Sequence, residues 1–326
     1  MLRLGIIGTG TISHEFIKAA QLSGEYEFTA VYSRTLSAAE RFAQDYKNVE
    51  LYTDMIKFLS ADLDVVYIAS PNSLHFNHAK VAILARKHVI VEKPAVSRPE
   101  EWQELVKLAA EHQVYIFEAA RNYHEVAFAV IHDFLKDKKI WGANFTYAKY
   151  SSKMDALLSG QEPNVFSAKF SGGALMDLGV YTLYAAVRLF GAPQNVCYTA
   201  QKLPNSVDLN GSGSLIYPDF QVRIQAGKNI HSQLPAEIYT DQGTLTLDGV
   251  EFIRSAIFQK LNGETESLAI RQAEHQMLEE AQAFARVLKG GQEELYSDYL
   301  QAAATVHECM FAMRKDAGIR FEVDHD

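Results

Sequence analysis

Cysteine is scarce in this chain: Cys197 and Cys309 are the only two among 326 residues. Two distant thiols make neither a disulfide framework nor a zinc site, and they suit a reducing, cytoplasmic compartment. No unbroken apolar run of about 18 residues appears, so no membrane-spanning helix is expected. The N-terminus lacks the basic start, apolar core and small-residue cleavage site of a secretory signal. Long basic runs are also missing, and the formal net charge is −9. A nucleic-acid partner, which needs a positive patch, is therefore not expected, although a small basic pocket for a phosphate stays open. There is no internal repeat, no low-complexity segment and no cluster with metal-ligand company, so no metal is expected.

What is present is ordinary globular composition, 48% hydrophobic and 22% charged, with length enough for two domains. Short apolar runs alternate with amphipathic stretches in the first part. Strands are expected at Leu4 to Ile7, Phe28 to Ser33, Asp64 to Ala69, Val89 to Val91 and Val114 to Phe117. Between them lie helices: Ile12 to Leu22, stopping at Gly24; one opened by a Ser37/Glu40 capping box; Ser73 to Arg86; and one started by Ser97, Pro99 and Glu100. Apolar strands separated by helices make a parallel sheet of βαβ units. The pattern changes near Glu118 to His124, which sets a division into 1–120 and 121–326. Beyond it come helices at Glu125 to Lys138 and Ala174 to Phe190. Alternating strands follow at Gly142 to Tyr150, Asn195 to Ala200, Gly213 to Tyr217, Phe220 to Ala226, Ala236 to Thr240 and Thr244 to Leu247, suiting a mostly antiparallel sheet with one open face. Two helices close the chain, Arg271 to Leu288, ended by Gly290 and Gly291, and Tyr296 to Lys315. Asp324-His325-Asp326 reads as a frayed tail, and Trp102 and Trp141 as packing residues.

Gly8-Thr9-Gly10-Thr11-Ile12-Ser13 follows the first strand and opens the first helix, the context a dinucleotide-binding turn requires. Gly8 makes the turn. Gly10 lets a pyrophosphate approach the free N–H groups of the helix start at Thr11 and Ile12. Ser13 stands where a third glycine is usual. At the end of the second strand an NAD site wants an acid for the ribose 2′-hydroxyl, and Tyr32-Ser33-Arg34-Thr35 has none. Arg34 suits a 2′-phosphate through its planar fork and Ser33 through its hydroxyl, so NADP is expected over NAD. The alternatives are an ordinary βα turn and a solvated arginine.

Ser70-Pro71-Asn72 and Glu92-Lys93-Pro94 end two further strands. Ligands of open α/β sheets sit at the carboxyl ends of strands, so Ser70, Pro71, Asn72, His75, Glu92 and Lys93 are assigned to the cofactor crevice. Pro94 restricts Lys93 to extended geometry. His75 and His78, three apart at a helix start, read as solvated, and His124 is within reach of the cleft. Further on, Gly172 and Gly173 turn the chain into a helix on which Asp177 and Tyr181, four apart, share one face. A carboxylate and a phenol in reach of a lysine make a proton-transfer set. The alternatives are a surface lysine at Lys93, a buried hydrogen-bonding or capping role for Asp177 and a core tyrosine at Tyr181.

The glycine turn, Ser-Pro-Asn with His75, the run Lys87-His88-Val89-Ile90-Val91-Glu92-Lys93-Pro94, and Gly-Gly-Ala-Leu-Met-Asp-Leu-Gly-Val-Tyr together resemble the glucose–fructose oxidoreductase, inositol dehydrogenase and rhizopine-catabolism family over nearly the whole length. The resemblance implies a Rossmann domain followed by an α/β domain with a large open sheet that forms a dimer interface or part of a tetramer. It carries active-site roles onto Lys93 and Asp177. Tyr181 replaces the histidine of many members and is similar to the trans-dihydrodiol dehydrogenases and glucose–fructose oxidoreductase, relatives that favour NADP. It also places Met154 to Phe170, Lys169 included, beside the substrate. The expected activity is hydride transfer between NADP and a secondary alcohol or carbonyl of a sugar, polyol or vicinal diol. In it Tyr181 handles the proton, Lys93 tunes the phenol and Asp177 orients the substrate or relays the proton. An aldose dehydrogenase is the enzymatic rival, and a non-catalytic NAD(P)-binding sensor the rival of another class.

Overall fold

The computed structural model describes residues 1–290 and 292–325. The chain divides into two compact units, residues 1–119 with 274–303, and residues 120–273 with 304–326. The segment 274–303 thus returns to the first unit, where a division into two consecutive stretches puts it in the second.

Unit 1 holds a six-stranded parallel sheet of β1 (Leu2–Ile7), β2 (Tyr26–Tyr32), β3 (Glu50–Tyr52), β4 (Val65–Ile68), β5 (His88–Glu92) and β6 (Ile116–Ala119), in the order 3-2-1-4-5-6. That is the order of doubly wound dinucleotide-binding sheets, in which every strand is parallel and the strand order reverses between β1 and β4. All four residues of β4 are buried, as a strand covered on both faces requires. The connecting helices are α1 (Thr11–Ser23), α2 (Leu36–Ala43), α3 (Met55–Ser60), α4 (His75–Leu84) and α5 (Pro99–His112). Gly24, in the left-handed conformation, ends α1 by donating to Gln21 O. Two helix starts differ from expectation. Thr35, not Ser37, precedes α2, and it makes no side-chain cap. Before α5 the capping acid is Glu101, not Glu100: its carboxylate accepts the N–H groups of Ser97 at 2.9 Å and Arg98 at 3.0 Å. The sequence pattern missed β3 and α3, each too short to show a period.

Unit 2 is built on an eight-stranded sheet in the order 14-13-12-11-7-10-9-8. It begins with α6 (Val126–Leu135), β7 (Ile140–Ala148) and the short α7 (Met154–Leu158), followed by α8 (Val180–Phe190). The remaining strands are β8 (Asn195–Lys202), β9 (Asp208–Ile216), β10 (Gln221–Gly227), β11 (Ala236–Thr240), β12 (Gly243–Leu247), β13 (Ala256–Lys260) and β14 (Thr265–Ser267). Neighbours are antiparallel except β7 and β10, which pair in parallel. In β11 and β12 buried residues alternate with half-buried ones, so one face of the sheet packs on helices and the other stays open. By length and composition the helical stretch Ala168–Phe190 is apolar enough to cross a membrane, where the sequence reading found no such helix. In the fold it is a core helix, with 83% of its apolar window buried.

The last helices are α9 (Leu278–Leu288) and α10 (Glu293–Asp316). Residues 271–277 are not helical, so α9 starts later than expected. Phe284 of α9 stacks on Phe117 of β6 at 4.7 Å, and the Tyr26 hydroxyl donates to Ala281 O at 2.8 Å. Fully burying a side chain such as Phe284 stabilises by about 1.5–3 kcal/mol, which holds this returning helix on the first sheet. Gly290, at φ 105°, follows α9, and Gly291 lies outside the described residues. The C-terminal tail is not frayed at Asp324. Its carboxylate takes the buried Arg314 guanidinium at 2.9 and 3.1 Å and the Phe321 N–H at 2.7 Å, while Asp326 is outside the described residues. Trp102 is buried, but Trp141 is 54% exposed beneath the Lys139 ammonium rather than packed in the core.

Candidate active site

In unit 1 the glycine turn joins β1 to α1. Gly8 has φ 107°, and a Cβ there would stand 2.4 Å from Ala69 O, so only glycine fits. Ser13 is fully buried, and its hydroxyl donates to Gly8 O at 2.8 Å. The serine therefore ties the turn together where a glycine would only fill it. A Cβ on Gly10 would meet nothing within 4 Å. No side chain caps α1, its first turn carries no acid, and Ile12 is 37% exposed beside it. Open space over an uncapped helix start is what a pyrophosphate needs, so these residues fit a dinucleotide. At the end of β2 the Ser33 N–H donates to Tyr52 O at 3.0 Å, and Ser33 is half-buried. Arg34 is exposed and makes no hydrogen bond or ion pair among the described residues.

His75 sits at the start of α4, only 1% exposed, so neither it nor the half-buried His78 is solvated as the spacing suggested. Its Nδ1 lies 3.0 Å from Pro94 O and its Nε2 2.6 Å from Ser70 O. The ring thus clamps the Ser70-Pro71-Asn72 loop to the Glu92-Lys93-Pro94 loop. Both partners are acceptors, and a neutral imidazole has one N–H to give. Burial lowers the His75 pKa, outweighing the carbonyls that favour the charged ring. His78 Nδ1 meets Ser70 Oγ at 2.9 Å, and burial pushes its pKa down to about 4. Glu92 is buried and accepts the Tyr67 hydroxyl inside the sheet. Lys93 is half-buried, followed by a cis peptide to Pro94.

In unit 2 Gly172 and Gly173 are both required. A Cβ would lie 2.7 Å from Asn164 O at Gly172 and 2.1 Å from Asp208 Oδ1 at Gly173, where φ is 122°. They deliver the chain to a π-helical turn, Leu175–Gly179, which runs into α8. Such turns are rare and gather at functional sites. Asp177 lies in this turn and Tyr181 in the first turn of α8. Gly179 lets the turn settle on β10, where its Cβ position is 3.4 Å from Ala226 Cβ. Lys228, just beyond β10, is 4% exposed and pairs with Asp177 Oδ2. Tyr181 is 7% exposed, edge-on to Tyr147 at 5.4 Å and under the Arg121 guanidinium at 5.0 Å. Asn122, fully buried, donates to Tyr181 O at 3.0 Å and Val250 O at 2.9 Å. His124 belongs to this unit and packs edge-on against Tyr123, while Lys169 is exposed beside Phe170. Unit 2 therefore gathers Asp177, Tyr181 and Lys228, and unit 1 gathers the glycine turn, Arg34, His75 and Lys93. Lys228 was missed by the sequence reading. Val222, Ile224 and Ala226 alternate on the buried face of β10, and the same period places a lysine on that face at 228.

Residues 2–120 match the family model described as "Oxidoreductase family, NAD-binding Rossmann fold", and residues 140–246 match the "GFO/IDH/MocA C-terminal domain". The chain belongs to the GFO/IDH/MocA oxidoreductase family. Unit 1 carries this family's NAD(P)-binding Rossmann fold. Among relatives the uncharacterized oxidoreductase YgjR of Escherichia coli K12 is 35% identical, covering 99% of each chain. The scyllo-inositol 2-dehydrogenase (NADP(+)) IolU of Bacillus subtilis 168 is 33% identical, again over 99% of each. Among solved structures the 3-ketoreductase KijD10 of Actinomadura kijaniata shares the fold, with a TM-score of 0.83 at 22% identity and 97% coverage of both chains.

Proposed function

We propose that this GFO/IDH/MocA protein transfers a hydride between NADP and a secondary alcohol or carbonyl carbon of a cyclic polyol, a sugar or a vicinal diol. The observation that carries the reading is the placement of Tyr181 one turn after Asp177, with its phenol ring held by Tyr147 and Arg121. The nicotinamide supplies the hydride chemistry when bound. Tyr181 takes the hydroxyl proton in oxidation and returns it in reduction, Asp177 orients the reacting hydroxyl, and Lys93 supplies the cation of the set. Gly8, Gly10, Thr11, Ile12, Ser33, Arg34, Ser70, Pro71 and Asn72 hold the cofactor, and His75 and Glu92 support that crevice from beneath. Arg34, exposed and unpaired where an NAD site has an acid, supports NADP, as does the NADP(+) named for IolU at 33% identity. The scyllo-inositol in the same name supports a cyclic polyol. The open face of the second sheet is where copies of the chain would associate as a dimer or tetramer, which sedimentation equilibrium measures.

Initial rates with NADP and NAD on scyllo-inositol, trans-1,2-cyclohexanediol and glucose test the reading. NADPH formation on a cyclic polyol or diol is expected, with NADP favoured by about tenfold or more, the worth of one charge-assisted hydrogen bond. A preference for NAD overturns the cofactor assignment. Turnover on glucose alone favours the aldose dehydrogenase, and no turnover on any of them overturns the reaction.

A further inference from the structure

Lys228 carries chemistry that its protein surroundings leave unused. An ammonium has three N–H donors. One goes to Asp177 Oδ2, and no other acceptor reaches Lys228 Nζ among the described residues. The ammonium also lies 5.7 Å from the centre of the Phe166 ring. The side chain is 5% exposed, while that of Asp177 is 34% exposed. A buried donor without a partner is costly, so a lysine in this position is stable only when its charge is compensated and its spare donors are taken up. The lysine is also held in place from both sides, since its N–H donates to Leu209 O at 2.7 Å and its carbonyl accepts the Ser151 N–H at 2.8 Å.

We infer that Lys228 and Asp177 form a clamp for two adjacent oxygens of the substrate, the ammonium donating to one and the carboxylate accepting from the hydroxyl beside it. This rests on the proposed alcohol dehydrogenase reading and narrows its substrate class to uncharged vicinal diols. The pair is neutral as a whole, so it matches two hydroxyls and has no net charge to offer a phosphate or a carboxylate. The Phe166 ring lies beside the ammonium, and Tyr181, one turn after Asp177, packs edge-on to Tyr147; such aromatic faces suit the C–H faces of a cyclic polyol.

The test compares trans-1,2-cyclohexanediol with cyclohexanol, which share a ring and differ by one hydroxyl. Calorimetric Kd values are measured on the full chain with NADPH present, for the wild type, Lys228→Met and the double variant Asp177→Asn/Lys228→Met. The double variant leaves no unpaired charge, so it folds even where the single variant does not. The wild type is expected to bind the diol about 10–100-fold more tightly than the mono-alcohol, and either variant to lose that preference while NADPH affinity holds. A variant that keeps the preference overturns the clamp, as does one that weakens both alcohols equally, which marks a structural role. A wild type that binds the diol no better than cyclohexanol overturns it too. A wild type that shows the preference without turning over either alcohol upholds the clamp and overturns the dehydrogenase reading instead.

Discussion

The Asp208 carboxylate caps the helical segment that carries Asp177: its Oδ2 accepts the Leu175 N–H at 2.8 Å. The Tyr198 hydroxyl donates to the same oxygen at 3.2 Å, and both side chains are buried. Burial pushes the Asp208 pKa up, against the hydrogen bonds that favour the carboxylate. Asp208→Ala removes the cap and strands the Tyr198 hydroxyl, a loss of about 2–4 kcal/mol. Asp208→Asn keeps an uncharged acceptor and is expected to cost less. Urea denaturation of the two variants checks the order.

Gly8 and Gly10 separate folding from cofactor binding. Gly8→Ala forces a Cβ into the Ala69 carbonyl at a positive φ, and about 1–3 kcal/mol of stability is lost. Gly10→Val meets open space, so the melting temperature stays near that of the wild type while NADPH affinity drops by more than about tenfold. Thermal melts and fluorescence titration with NADPH read the two effects apart.

Arg34→Ala tests the coenzyme choice. The side chain is exposed and unpaired, so stability is expected to hold within about 0.5 kcal/mol. The KM for NADP rises about 10–100-fold while that for NAD is unchanged. An equal rise for both coenzymes removes the 2′-phosphate role.

Tyr181→Phe keeps the ring against Tyr147 and removes the hydroxyl. Turnover is expected to fall roughly 10²–10⁴-fold with NADPH affinity unchanged. Near-full turnover in the variant refutes a proton-transfer role.

Stability should depend on pH through His75 and His78. Both have folded pKa values below the unfolded 6.5, His78 at about 4. Below pH 6.5 the unfolded chain binds more protons than the folded one, so their contribution is complete above that pH and lost as pH falls towards 4. Urea denaturation at intervals from pH 7 to pH 4 is expected to show this decline. His78→Gln should show a shallower one over the same window.

Short-range patterns were legible because they follow local rules. The β4 and β5 runs of buried apolar residues, the αL glycine after α1 and the strand-turn-helix around Gly8 and Gly10 each depend on a few neighbouring residues. Element ends were less legible. Thr35 and Glu101 replaced Ser37 and Glu100 at the helix starts because a cap is chosen by where the chain enters the fold, and several nearby residues qualify on chemistry alone. His75 and His78 were misjudged for a related reason: a polar residue at a helix start is solvated only when no second loop covers it.

By itself the sequence determined the doubly wound first unit, the dinucleotide turn, the missing acid at Arg34 and the presence of Asp177 and Tyr181 on one helical segment. All of these are written in residue periods and in glycine's freedom at single positions. Only the tertiary structure decided that Lys228 faces Asp177 across 51 residues and that Asp208 caps Leu175 across 33. It also decided that 274–303 returns to the first unit. Local propensity carries no information about such pairs. They form because Gly179 and Ala226 are small enough for the helical turn to close on the strand, and that fit exists only once the core has packed.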